Sequence, residues 1–495
     1  MEGNKKNTYK KNLAENTITQ IILYFTPLLL SPYVSRVLLP EGIGEYSYAN
    51  SIVYYFSVFV SFGFLSLGNR QISLYKDNKD EYSKEFWSII FSKMINFFLV
   101  SIIYFILLCC GFFNNIGVNV KIISLLYITI LSNAFDINFL FQGLCKFRII
   151  SLVQVISNIM YAICIVFFVK GTDDLYNYCF LKSFLNFFVD CIMWIISIKL
   201  LNKPSFEKEK IISIYKKSFL FFLPNLVMTI TPMIDQTMLG FLASNKQVGF
   251  YEQMYKIISM LGSLSYGLTP VILSHLSYLY NEKKYDICKE KIYNAISFVS
   301  LIIVPITFGL IVISKYFVPL YFGNEFLDAV PVLIILSFSL LFSTINSILI
   351  NAYYYPTMKV KLATSLMACS SILNLIANIF AIKKVGAVGG SITTTLLSFI
   401  CSILYFIFSK NFISLKLVLR RNIKTMLSAL IMFIIIFLLN KYFLEKTLIQ
   451  NIFIIILDII LGVILYFGFM FLFKDRFLIN HVLIVFKGKR KNEKN

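Results

Sequence analysis

Residues 17–67 read TITQIILYFTPLLLSPYVSRVLLPEGIGEYSYANSIVYYFSVFVSFGFLSL. Two apolar runs, 17–39 and 46–67, flank the short turn PEGIGE. Each run has about the twenty residues that an α-helix needs to cross about 30 Å of hydrocarbon. The turn supplies the proline and glycines that end one helix and start another. A pair of spanning helices joined outside the bilayer is the reading that decides the fold.

The pattern continues along the chain. Further apolar segments fall at 87–111, 122–143, 149–169, 178–201, 219–242, 253–275, 295–314, 331–351, 362–382, 391–409, 426–440 and 449–472. The expectation is an all-α polytopic membrane protein with about fourteen transmembrane helices. Composition agrees: of 495 residues, 58% are hydrophobic and 14% charged, with a mean hydropathy of +0.77. A soluble domain carries about 25% charged residues, so this chain lacks the polar surface to cover a water-soluble globule.

The net charge is +21. In a membrane chain such an excess marks cytoplasmic loops rather than a nucleic-acid surface, and no basic stretch here belongs to a folded aqueous domain. Most of the 46 Lys and Arg fall in the N-terminal stretch, the alternate loops after it and the tail. The intervening loops hold only Lys121, Lys170, Lys246, Lys315, Lys383, Lys384, Lys441 and Lys446. The distribution puts both termini in the cytoplasm, in a cell membrane. The tail Lys487–Asn495 is a solvated basic end near anionic lipid. Residues 1–12 read as the lead-in to a retained first helix, since no small-residue cleavage site follows.

Several chemistries find no footing. The nine cysteines form no CxxC and only His275 and His481 are present, so no metal site or cofactor is expected. No GxxxxGK[ST] phosphate loop occurs. No outer loop is long enough for a catalytic domain, and the chain is read as a transporter rather than an enzyme.

An internal repeat relates helices 1 and 7. Residues 26–46, TPLLLSPYVSRVLLPEGIGEY, align without a gap on residues 231–251, TPMIDQTMLGFLASNKQVGFY. Thr26-Pro27 falls on Thr231-Pro232, and Gly44-x-Tyr46 on Gly249-x-Tyr251. Copies separated by six helices share one orientation in the membrane, an arrangement that frames a substrate path between two halves. Pro27 and Pro232 are expected to bend their helices, since proline removes a backbone hydrogen bond.

Charges inside hydrocarbon are costly and face a cavity or a partner. The candidates are Arg36, Lys93, Asp136, Lys182, Asp235 and Lys256. Arg36, Lys182 and Lys256 lie near outer helix ends, where snorkelling competes with a binding role. Lys93 and Asp136 sit at similar depths in adjacent helices, as an ion pair or as substrate contacts. Asp235 follows Pro232 by about one turn and is assigned to a cavity. Asp190 is deep, with Lys182 two turns away, and Asp458 lies in the last helix. The recurring asparagines, Asn374 and Asn378 among them, suit interhelical hydrogen bonds.

These features resemble the polysaccharide repeat-unit flippases, the O-antigen and capsule exporters of the multidrug/oligosaccharidyl-lipid/polysaccharide superfamily. The likeness is carried by the Pro-containing helix 1, the turn SRVLLPEGIGEYSYA at 35–49 and SFGFLSLGNRQIS at 61–73. The stretch 222–257, FLPNLVMTITPMIDQTMLGFLASNKQVGFYEQMYKI, is similar to the family's second-half start. The resemblance implies two parallel six-helix lobes in a V, residues 1–218 and 219–410. Accessory helices at 411–472 and the basic tail 473–495 would complete the chain. It implies undecaprenyl-diphosphate-linked oligosaccharide as substrate, moved from inner to outer leaflet by alternating access. A coupling cation, membrane lipids, a polysaccharide polymerase and chain-length proteins are the implied partners. A multidrug exporter of the same superfamily and a peptidoglycan-precursor flippase are the rival readings. Against the latter, the arginine cluster of that group is missing from the first two helices, which hold only Arg36.

Overall fold

The computed structural model describes the backbone of residues 2–266, 269–441 and 448–475. Side chains are described from Leu28 onward, apart from positions 208, 224, 228, 264–266, 269–272, 274, 275, 448 and 449. The described residues are helical almost throughout, with no strand among them. In chain order the helices are α1 (Glu2–Ser61), α2 (Phe64–Leu74), α3 (Lys79–Cys109) and α4 (Phe112–Asn115). They continue with α5 (Val120–Phe135), α6 (Asn138–Gly143), α7 (Phe147–Phe168) and α8 (Leu175–Ser197). Next come α9 (Lys208–Leu242), α10 (Asn245–Tyr266), α11 (Thr269–Asn281) and α12 (Tyr285–Phe322). The last four are α13 (Val330–Leu349), α14 (Val360–Ser409), α15 (Leu415–Lys441) and α16 (Leu448–Leu472).

Among the described residues ten helices are long and apolar enough to span a bilayer, or eleven if the bent α9 counts as one. Fourteen separate spans are therefore not resolved. One reason is local: α1 and α14 each run as one long helix through a break. In α1 the break is Leu39, at φ 59°. In α14 it is Val385 and Gly386, the latter also at φ 59°. A helix cannot pass through left-handed φ without turning its axis, so each of these two helices has two arms.

The chain divides into two compact units. Unit 1 comprises Met1–Gln253 with Asn378–Ala387, and unit 2 comprises Met254–Ala377 with Val388–Asn495. In unit 1, α5 packs on α8 and α1, α7 on α1 and α8, and α9 on α1 and α3. One core lies where α2, α3 and α6 meet, around Phe64, Leu67, Phe86, Ile89, Phe139 and Phe141. In unit 2, α12 packs on α13, α15 and α16. Its core holds Val304, Val312, Ala429, Met432, Ile436, Tyr466 and Met470.

The exposed surface is apolar. On α16, Phe453, Ile456, Ile460, Val463 and Ile464 are all more than half exposed. On α3, Phe98, Leu99, Ile102 and Ile103 are as well. In water such faces would associate, whereas in a bilayer they meet a solvent of matching polarity. The protein is a multi-pass membrane protein.

Candidate functional site

One polar cluster of unit 1 is built on three consecutive residues of α9. Successive helical residues project about 100° apart, so a polar triplet can serve three different neighbours. Asp235 is buried and accepts two hydrogen bonds, one per carboxylate oxygen. Tyr251 of α10 donates its hydroxyl to Oδ2 at 2.5 Å, and Asn378 of α14 donates Nδ2–H to Oδ1 at 2.6 Å. Gln236 donates to Glu252 of α10. Thr237 meets Ser51 at 2.8 Å and Tyr55 at 2.7 Å, both in the second arm of α1. One turn of α9 thereby binds α1, α10 and α14 through polar contacts, each of which is strengthened by the low dielectric around it.

Next to this turn, Ser31 of the first α1 arm donates to Gln253 at 2.8 Å. The break in α14 is held too: Gln247 Oε1 accepts the amide N–H of Ala387 at 2.8 Å. A chain break inside a membrane frees backbone groups that need partners, and Gln247 supplies one.

Lys182 of α8 is half-buried beside tyrosines. Its ammonium lies 4.5 Å from the ring centroid of Tyr46 and 5.6 Å from that of Tyr178. The two rings meet edge to face at 5.1 Å. The aromatic faces offset part of the cost of the charge, and the Glu252 carboxylate of α10 acts on it as well. Such a group can hold an anion while its own side chain stays in place.

The third group lies where α5 breaks before α6. Lys93, buried in α3, donates Nζ–H to the main-chain oxygen of Asp136 at 2.6 Å. The Asp136 carboxylate instead accepts from the N–H of Asn138 at 2.8 Å and from Asn138 Nδ2 at 2.7 Å. Ser132 donates to Asp190 Oδ2 at 2.5 Å, and Trp194 Nε1–H donates to the oxygen of Phe135 at 2.8 Å. The cation and the indole thus take up carbonyls at the end of α5, the negative end of its dipole.

Of the residues singled out in the sequence, Lys93 and Asp136 come together, through a carbonyl rather than a side-chain ion pair. Asp190 pairs with Ser132 and not with Lys182. Asp235 sits inside the polar turn. Arg36 is exposed on α1, one turn before the Leu39 break. Lys256 is half-buried on α10 within unit 2. Pro232 lies within the arm Asn225–Leu242, and the 46° bend of α9 falls between Leu223 and Asn225. The side chain of Pro27 lies outside the described residues. Asp458 accepts from Asn440 Nδ2 at 2.7 Å and lines an apolar cavity of about 380 Å³ in unit 2, with Pro305, Gly309, Met432 and Tyr466.

Sequence reading missed Gln236, Thr237 and Gln253 as parts of the site. They are uncharged, and the available signal for the first two was the polar run Asp235-Gln236-Thr237 toward the end of α9.

The family described as polysaccharide biosynthesis protein matches residues 9–277. A Haloferax volcanii protein assigned as a low-salt glycan biosynthesis flippase is 25% identical over 216 residues, 44% of this chain and 45% of that one. An Escherichia coli K12 protein assigned as an O-antigen transporter is 24% identical over 277 residues, 55% of this chain and 66% of that one. In both cases the match spans less than two-thirds of the relative's length.

Among solved structures, the lipid II flippase MurJ in an inward closed conformation aligns with a TM-score of 0.69 at 19% identity, covering 94% of this chain and 99% of that one. An inward-facing multidrug resistance transporter of the MATE family aligns at 0.61 and 14% identity, covering 79% and 94%. These likenesses concern the fold alone. With more than half its length matched, and with polar groups built into spanning helices rather than onto an aqueous domain, the chain belongs to the polysaccharide biosynthesis protein family.

Proposed function

We propose that the protein is a flippase that carries an undecaprenyl-diphosphate-linked oligosaccharide from the inner to the outer leaflet of the cell membrane, for surface polysaccharide assembly. The observation that carries this reading is Lys182 held against Tyr46 and Tyr178 in the half of the chain that matches the polysaccharide family. A lysine beside tyrosines suits a diphosphate, and tyrosine rings and hydroxyls suit sugar faces and hydroxyls. The apolar cavity lined by α12, α15 and α16 offers the kind of surface a polyprenyl chain prefers.

In this reading both termini are cytoplasmic and two six-helix lobes, 1–218 and 219–410, alternate access to the two leaflets. Asp235, bonded to Tyr251 and Asn378, is the group that would sense a coupling cation. The product is handed to a polysaccharide polymerase and its chain-length proteins.

The test is deletion of the gene, followed by analysis of surface polysaccharide and undecaprenyl-linked intermediates. Loss of polymer with the lipid-linked repeat unit accumulating on the cytoplasmic face is expected. Unchanged polysaccharide with altered drug sensitivity would replace this reading with a multidrug exporter. Accumulation of peptidoglycan precursor would replace it with a precursor flippase.

A further inference from the structure

The apolar cavity of unit 2 holds a carboxyl group in its wall. It lies between α12, α15 and α16, and of its lining side chains only Tyr466 and Asp458 are polar. Its space has a local cause on α12. Pro305 has no N–H to donate to the main-chain oxygen of Leu301, one turn earlier, and the Tyr466 hydroxyl takes that oxygen at 2.9 Å. One turn further on, a β-carbon at Gly309 would meet no atom within 4 Å. The Tyr466 hydroxyl is committed to the backbone, so Asp458 is the polar side chain that the cavity presents.

Asp458 is 4% exposed. Asn440 donates Nδ2–H to its Oδ2 at 2.7 Å, and among the described residues nothing else bonds it and no lysine or arginine pairs with it. The Asn440 amide oxygen is itself buried without a donor among the described residues. Two acceptor groups thus stand together with one shared N–H and no positive charge. A carboxylate in hydrocarbon is costly unless a cation or a polar partner meets it, so such groups mark binding sites. A cavity of about 380 Å³, apolar with one acidic group in the wall, has the size and make-up of a small-ligand pocket.

Two features define what fits. The cavity is open toward lipid, for Ile302, Ile459 and Val463 line it and are 40%, 52% and 54% exposed. A ligand therefore enters from the bilayer. Asp458 stands ten residues after Leu448, about 15 Å along the axis of α16. Phe453 and Ile456, both exposed, lie between. The ammonium of a phospholipid headgroup stays at the interface and does not reach this depth. A polyprenyl chain would cover the walls, yet it offers Asp458 neither donor nor charge. A hydrocarbon that carries its own amine meets both demands, because an alkylammonium is charged at neutral pH as lysine is.

We propose that this cavity binds a lipophilic amine drawn from the bilayer, with the ammonium on Asp458 and the hydrocarbon against α12, α15 and α16. It is a second site, built in unit 2 from other residues than the Lys182 and Asp235 of unit 1.

Farnesylamine and farnesol form the test pair, since they share one isoprenoid chain and differ in the head. Binding of each, tritiated, is measured on full-length protein in phosphatidylcholine nanodiscs, with empty discs subtracted. Affinities are expressed against ligand in the disc lipid, so that partitioning cancels. Farnesylamine should bind saturably and at least about tenfold more tightly than farnesol, the worth of a hydrogen bond to a charged group. Asp458→Asn, which keeps an oxygen for Asn440, should remove that difference. Gly309→Leu fills the cavity and should remove saturable amine binding with Asp458 intact.

Equal binding of the two molecules means a site for the isoprenoid chain alone and overturns the proposal. Amine binding that either variant leaves unchanged overturns it too, as does the absence of saturable amine binding to the wild type. The comparison of amine with alcohol needs no variant, so it decides the matter where a variant does not accumulate. No polysaccharide is read in this experiment, and its failure is distinguishable from failure of the flippase reading.

Discussion

Lys93 reaches the main-chain oxygen of Asp136 at 2.6 Å and leaves its carboxylate to Asn138. Lysine and aspartate at matching depth in adjacent helices look like an ion pair, yet here each serves the broken backbone. The ammonium closes the end of α5 and the carboxylate caps the start of α6.

This division of labour predicts an asymmetric mutational response. Lys93→Met should destabilise the protein by about 2 kcal/mol, the usual worth of a buried hydrogen bond from a charged group. Asp136→Asn should cost about 1 kcal/mol or less, because an amide oxygen still caps. Exchanging the two residues should not rescue either single reversal. Melting of the purified variants in detergent checks this, and rescue by the exchange would show that the side chains pair after all.

Asp235 is expected to be intolerant of Ala. Truncation leaves the Tyr251 hydroxyl and the Asn378 amide without their acceptor, at about 1–3 kcal/mol for each buried group. Polysaccharide export should fall to near the deletion level while membrane insertion stays normal. Tyr251→Phe, which removes one donor and keeps the ring, should be milder. Quantifying surface polymer against protein in the membrane checks both, and normal export from Asp235→Ala removes this residue from the mechanism.

Lys182 and Tyr46 should separate by chemistry. Lys182→Met removes the cation and should abolish export, whereas Tyr46→Phe keeps the ring face and should retain most of it. Tyr46→Ala loses a cation–π contact of about 1–2 kcal/mol in a desolvated setting. Dose–response of lipid-linked substrate in reconstituted vesicles should show weaker binding for Lys182→Met. Wild-type behaviour there would move the phosphate site elsewhere.

The charge asymmetry of the loops is checked by reporter fusions. Alkaline phosphatase fused after Lys384 should be active outside the cytoplasm, and fusions after Lys284 or Lys361 inactive. The opposite pattern would invert the whole topology.

The helical, membrane-spanning character could be read at once from runs such as 17–39 and 449–472. Hydrocarbon forces backbone groups to bond within one helix, so length and apolarity suffice to reveal a span. The loop charges likewise predict an orientation, since lysines stay on the side where they need not be translocated. The same logic did not locate the bends. The 46° bend of α9 falls between Leu223 and Asn225, and the breaks in α1 and α14 fall at Leu39 and at Val385-Gly386. Breaks form where a neighbour can satisfy the freed groups, as Gln247 does for Ala387, and that neighbour is remote in sequence.

The sequence by itself determined the all-α membrane fold and the intramembrane charges, because both depend on composition or on local order along the chain. Only the tertiary structure decided that Lys93 binds a carbonyl and that Asp235 is shared between Tyr251 and Asn378. Partner choice among buried polar groups depends on which helices lie within about 3 Å of one another, and sequence spacing carries no record of that distance.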